Sequence, residues 1–147
     1  MKRASILLII PLIFSVPGRA QENVPDALHE WTSQAYNYYL YNPDTAIFLT
    51  QKALDSALQS KNLFYEGYCY FIFSKTYWVK ANYKLSTEYG FKALKVFKNT
   101  NHYKELSGTL LSLARTLVEL GNIGKANEFI HDALQLGIKH SDERIQA

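Results

Sequence analysis

The sequence predicts an all-α protein, a solenoid of antiparallel helix pairs joined by tight turns. Three observations carry this. Like residues recur at a spacing of 40: Ala46, Ser86 and Ala126 form one column, Ala53, Ala93 and Ala133 a second, and Leu54, Leu94 and Leu134 a third. Within each unit the apolar residues step by three and four, which is the period of a one-sided helix. A turn signal divides the stripe in two, most clearly at Gly121 and Asn122, so each unit holds two helices.

Residues 1–20 stand apart from the repeats. Lys2 and Arg3 precede an apolar stretch from Ile6 to Val16, broken only by Pro11 and Ser15. Pro17 and Gly18 interrupt any helix, and Ala20 is a small residue before Gln21. This layout is that of a secretory signal peptide cleaved after Ala20. At about eleven residues the stretch is shorter than the roughly twenty needed to span a bilayer. The alternative is an uncleaved N-terminal anchor. Residues 21–147 are expected outside the cytoplasm, periplasmic or extracellular, with no membrane contact of their own.

The first repeat, about 28–60, places Trp31, Ala35 and Tyr38 on one stripe and Ala46, Thr50 and Ala53 on the next. Asn42 followed by Pro43 is the order of an N-cap and a first helical position. The second repeat, about 61–100, runs Tyr70, Phe73, Ser74 and Tyr77, then Tyr83, Ser86, Gly90 and Ala93. The third, about 101–140, runs Leu110, Leu113, Ala114 and Leu117, then Ile123, Ala126, Ile130 and Ala133. Ser141, Asp142 and Glu143 read as the capped start of a fourth unit at 141–147, with Ser141 as its N-cap. The small residues have a packing reason. Where two helices cross closely, a large side chain would hold the backbones apart.

Charge narrows the function classes. The formal net charge is +3, but Lys2, Arg3 and Arg19 all lie in the first twenty residues, where no acidic side chain occurs. From Gln21 onward basic and acidic side chains balance. A balanced body lacks the basic face a nucleic-acid binder needs, and it lacks a charge with which to dock on anionic lipid.

Catalytic and metal-binding patterns are absent. The four histidines, at 29, 102, 131 and 140, form no His-x-x-x-His pair and adjoin no cysteine. His102 and His140 are expected in solvated inter-repeat loops. His131 and Asp132 are adjacent on a helix and so do not face each other. The glycines are scattered, with no phosphate-cradling cluster and no Gly-x-Ser-x-Gly elbow. Ser107 and Ser112 read as helix surface. Cys69 is the only cysteine, flanked by Tyr68, Tyr70 and Phe71, and reads as a buried thiol. A reactive or intermolecularly bridged thiol is the alternative. The eleven tyrosines are expected mainly in the core. No catalytic residue, cofactor or metal ligand is assigned.

The run Leu113, Ala114, Leu117, Gly121, Ile123, Ala126, Ile130 and Ala133 resembles the tetratricopeptide repeat (TPR). So do Trp31, Ala35, Tyr38, Ala46 and Ala53, with one residue fewer in the turn. The resemblance covers about residues 28–137. It departs from the family in its period of 40 rather than about 34, in Ala81 where the third repeat has its turn glycine, and in the missing terminal proline. A HEAT-like array, with units of about 40–47 residues, is the alternative. The paired alanines, and first helices without internal proline, favour TPR.

The resemblance implies a right-handed superhelix whose concave face is lined by the first helix of each repeat and binds a peptide or partner protein. On the sides opposite the core stripes lie Tyr68, Phe71, Lys75 and Trp78 in repeat two, and Leu111, Arg115 and Val118 in repeat three. These are the candidate protein-binding residues, suited to a segment with apolar anchors and a carboxylate. Trp31, Ala35, Tyr38, Ala46, Ala53, Ser86, Ala93, Ala114, Gly121, Ala126 and Ala133 are the structural repeat positions. A stack without a capping helix leaves an apolar end, to be closed by homodimerisation or by further repeats. A signal peptide followed by TPR units is also similar to the sensory region of bacterial TPR histidine kinases and transcription regulators. The leading reading is an exported, non-catalytic interaction module. The alternatives are a truncated periplasmic sensor region of such a signalling protein and a glycan-binding protein.

Overall fold

The structure, a computed structural model, describes residues 24–145. The proposed leader therefore lies outside the described residues. Six helices follow one another: α1 (Val24–Tyr38), α2 (Pro43–Gln59), α3 (Leu63–Val79), α4 (Tyr83–Lys98), α5 (Tyr103–Glu119) and α6 (Ile123–Ile145). They pair as the repeats require, α1 with α2, α3 with α4, and α5 with α6.

Asparagine sets the starts of most of these helices. The Oδ1 atoms of Asn42, Asn62, Asn82 and Asn122 accept from the backbone N–H groups of Thr45, Tyr65, Leu85 and Lys125 at 3.1–3.3 Å. Each bond satisfies a donor that the first helical turn cannot. His102 holds the equivalent place before α5 and makes no side-chain cap bond.

The turns after α2, α3 and α5 share one geometry. Lys61, Ala81 and Gly121 take positive φ, at 55°, 54° and 73°. After α3, Ala81 N–H donates to Trp78 O at 2.9 Å and Asn82 N–H to Tyr77 O at 2.9 Å. That bond pair ends a helix with a left-handed residue. Gly121 and Asn122 repeat it on Val118 and Leu117, and Lys61 and Asn62 on Leu58 and Ala57. Ala81 thus adopts the turn glycine's conformation without being glycine.

The core follows the small-residue columns. Ala35, Ala46, Ala53, Ser86, Ala93, Ala114, Ala126 and Ala133 are all buried. A β-carbon on Gly90 would lie 2.5 Å from Leu113 Cδ2, so the Leu113 side chain of α5 seats there against a residue that has none. The buried threonines cost little, because each hydroxyl donates four residues back. Thr32 reaches Leu28 O, Thr50 Ala46 O, Thr76 Ile72 O and Thr116 Ser112 O.

Successive repeats also stack, α2 on α3 and α4 on α5. The first helices touch each other, α1 with α3 and α3 with α5. The backbones of the second helices, α2, α4 and α6, stand farther apart, and Phe91 of α4 meets Phe129 of α6 only through its ring, edge to face with centres 6.1 Å apart. A stack closer along one side curves toward that side, so α1, α3 and α5 line its inner face.

Several expectations are corrected. α3 packs against four helices and is buried nearly all round, at Gly67, Cys69, Phe71, Ile72, Phe73, Ser74 and Thr76. A one-sided stripe therefore misdescribes it, and Tyr70 and Tyr77 are only half-buried. In α6, Ala126 and Ala133 are buried, but Ile123 and Ile130 are exposed. α6 also runs without a break through Ser141 to Ile145, so Ser141 lies within a helix rather than at the start of one. His140 lies in α6 rather than a loop, its ring 3.7 Å from that of Tyr103. His102 is half-buried, 4.7 Å from the ring of Phe64.

Candidate protein-binding face

The inner face carries a chain of aromatic rings. Tyr36 of α1 lies 6.3 Å from Tyr68 and 6.4 Å from Phe71 of α3, and Tyr68 lies 5.8 Å from Phe64. Burial pushes the Tyr68 hydroxyl above its ordinary pKa, with further contributions from Tyr36 and the Glu105 carboxylate. It is therefore a neutral hydrogen-bonding group at physiological pH. Between α1, α3 and α5 these rings leave a pocket of about 210 Å³, reached by His29, Ser33, Tyr36, Phe64, Tyr68 and Glu105.

Two cations stand farther along α3 and α5. Lys75 Nζ donates to Tyr36 Oη at 3.3 Å and lies 4.7–5.3 Å from the ring centres of Tyr36, Tyr39 and Phe71. The guanidinium of Arg115 lies 4.2 Å from the centre of the Trp78 ring. Rings attract cations through their negative faces, which holds both side chains over the groove. Among the described residues the ion pairs are Lys80–Asp44 and Lys125–Glu128, so neither Lys75 nor Arg115 is neutralised by a carboxylate. The Trp78 indole N–H is buried with no partner among the described residues.

The candidate residues separate into four groups. Tyr68, Lys75, Trp78 and Arg115 do line the inner face. Phe71 does not project from it: it is 9% exposed, clamped between Tyr36 and Gly108 of α5. Leu111 holds the same register one repeat later, yet it is 50% exposed and belongs to a different groove at the end of the stack. That column is where one first helix packs on the next. Val118 is exposed one turn beyond Arg115 on α5.

Tyr36, Tyr39, Phe64, His29 and Glu105 were absent from the candidate set. A signal for the α1 residues was present. α1 aligns with α3 at a spacing of 39, as Trp31 and Ala35 do with Tyr70 and Ser74. The same shift brings Tyr36 to Lys75 and Tyr39 to Trp78.

No family model and no curated protein matches the sequence. Among solved structures, the chain is similar to the crystal structure of the TPR domain of Arabidopsis FLU. The TM-score is 0.69 at 17% sequence identity, covering 76% of this chain and 95% of that one. With six helices in three stacked pairs among the described residues, the chain has a TPR-type α-solenoid fold.

Proposed function

We propose that the protein is an exported, non-catalytic interaction module that binds an extended segment of a partner along the inner face of α1, α3 and α5. The observation that carries this is the pair Lys75 and Arg115. Both are held over aromatic rings, and neither has a carboxylate partner among the described residues. A carboxylate arriving between them would gain charge-assisted hydrogen bonds without breaking an existing ion pair. The exposed parts of Tyr36, Tyr68 and Trp78 offer apolar area at low conformational cost. Glu105 lies toward the start of α5 and Arg115 toward its end, so the groove has an electrical direction. The export part of this reading rests on Lys2, Arg3, the Ile6–Val16 stretch and Ala20.

A random peptide library panned on the whole chain tests the reading. The recovered sequences should pair an acidic residue or free C-terminus with aromatic or aliphatic anchors. Capture of a selected peptide should fall at least tenfold in the double variant Lys75→Ala with Arg115→Ala, at unchanged helicity. Sequences without acidic groups, or capture that the double variant leaves intact, would sink it. Phe71 is unsuitable as a probe, because its truncation would open the core.

A further inference from the structure

The row of rings on the inner face ends in opposite ways. At one end it already holds a cation. Lys75 Nζ lies 4.7–5.3 Å from the ring centres of Tyr36, Tyr39 and Phe71 and donates to Tyr36 Oη. At the other end the sign is reversed. The pocket of about 210 Å³ between α1, α3 and α5 is walled by Tyr36, Phe64, Tyr65 and Tyr68. Its lining carries one carboxylate, Glu105, and no lysine or arginine. The ion pairs among the described residues, Lys80–Asp44 and Lys125–Glu128, leave Glu105 out, and exposed His29 at the same pocket forms none with it.

The charge of Glu105 reaches the pocket wall. Burial, then Tyr36, then Glu105 raise the Tyr68 hydroxyl above its ordinary pKa, and burial does the same for Tyr65. Both phenols therefore stay protonated, and Glu105 sets the sign of the pocket.

Aromatic walls with a carboxylate among them suit a cation. The rings attract it, and the carboxylate neutralises it. The chemistry favours an ammonium on a flexible stem over a guanidinium. A four-carbon stem lies along apolar rings, and three freely turning donors can meet acceptors scattered over Glu105, Ser33 and Asn37. A guanidinium needs partners arranged to match a planar fork.

The distance to the cationic end is set by α5. Glu105 and Arg115 are ten residues apart on one helix, a rise of about 15 Å. An extended segment advances about 3.3–3.6 Å per residue, and its side chains four residues apart point the same way. Four residues thus carry an extended chain from one end of the groove to the other.

We propose that the pocket beside Glu105 is a lysine subsite. It takes the side-chain ammonium of a partner segment whose acidic group, four residues away, lies between Lys75 and Arg115. This rests on the inner face being the binding groove, and it adds a second charged anchor and the spacing between the two.

A library of peptides displayed through their N-termini, so that lysine supplies every ammonium, is panned on the whole chain and on Glu105→Gln at equal helicity. On the wild type the recovered peptides should carry lysine four positions from an acidic residue. On Glu105→Gln the lysine preference should vanish and the acidic preference remain. For one selected peptide, norleucine in place of lysine keeps the stem and removes the charge. It should weaken binding to the wild type by about fivefold or more, and to Glu105→Gln by less than about twofold. Acidic peptides without a lysine preference overturn the subsite and leave the groove standing. So do arginine recovered in place of lysine, and a norleucine effect that Glu105→Gln leaves intact. Recovered peptides without acidic groups, or no recovered peptide at all, overturn both.

Discussion

Ser86 Oγ in α4 donates to the Ser74 carbonyl of α3 at 2.8 Å and lies 2.9 Å from Thr116 Oγ1 in α5. A buried hydroxyl thereby ties three helices together across the junction of two repeats. The equivalent positions, Ala46 and Ala126, pack without a hydroxyl, so alanine fits the site sterically. Ser86→Ala should therefore report the hydrogen bonds alone. Thr116 keeps its own bond to Ser112 O, so no donor is orphaned, and the loss should be about 1 kcal/mol. Ser74 is the control, because its Oγ has no partner among the described residues. Urea titration of the two alanine variants should find Ser74→Ala the milder. Equal losses would mean that the hydroxyl bonds contribute nothing.

The turns make an opposed pair of predictions. Ala81 has φ of 54°, a conformation that costs a residue with a β-carbon about 1–2 kcal/mol. Glycine relieves that strain but adds about 0.4–1 kcal/mol of unfolded-state entropy. Ala81→Gly should raise stability by up to about 1.6 kcal/mol, and Gly121→Ala, at φ of 73°, should lower it by a similar amount. Thermal unfolding of both variants checks the signs. The same sign for both would show that these turns are not held left-handed.

Cys69 gives a pH dependence. Burial, with a smaller contribution from the Glu66 charge, pushes its thiol from 9.0 up to about 12. The folded chain then holds this proton while the unfolded chain releases it. Below pH 9 the thiol contributes no slope. From pH 9 toward 12 it lowers stability by about 1.4 kcal/mol per pH unit. Denaturation midpoints of wild type and Cys69→Ala at pH 8 to 10.5 should converge as pH rises. Parallel curves would place the thiol in contact with solvent.

Much of the fold was legible before any coordinates. The 40-residue columns, the helical stripes and Gly121 define three helix pairs, because spacing along a chain fixes which residues share a helix face. A finer signal was also present, in Asn42, Asn62, Asn82 and Asn122 placed at multiples of twenty. Each of these closes a helix, turn or loop and caps the next.

The candidate site was less legible, for a reason Phe71 and Leu111 make plain. They hold the same register in successive repeats, yet one is buried and the other exposed. Sequence periodicity assigns a residue to a face of its own helix. It does not say which faces a neighbour covers, since coverage depends on contacts between residues forty positions apart. Tyr36 meeting Lys75, and Arg115 meeting Trp78, are contacts of that kind.

By itself, then, the sequence determined the 40-residue spacing, the pairing of helices within it and the charge balance, all of which depend on short spacings and side-chain chemistry. Only the tertiary structure decided that α3 is buried nearly all round, that Lys75 and Arg115 rest on aromatic rings, and that the apolar face of α5 and α6 is uncovered among the described residues. Those follow from curvature and stacking, where the position of each helix depends on the volumes of side chains in the repeats beside it.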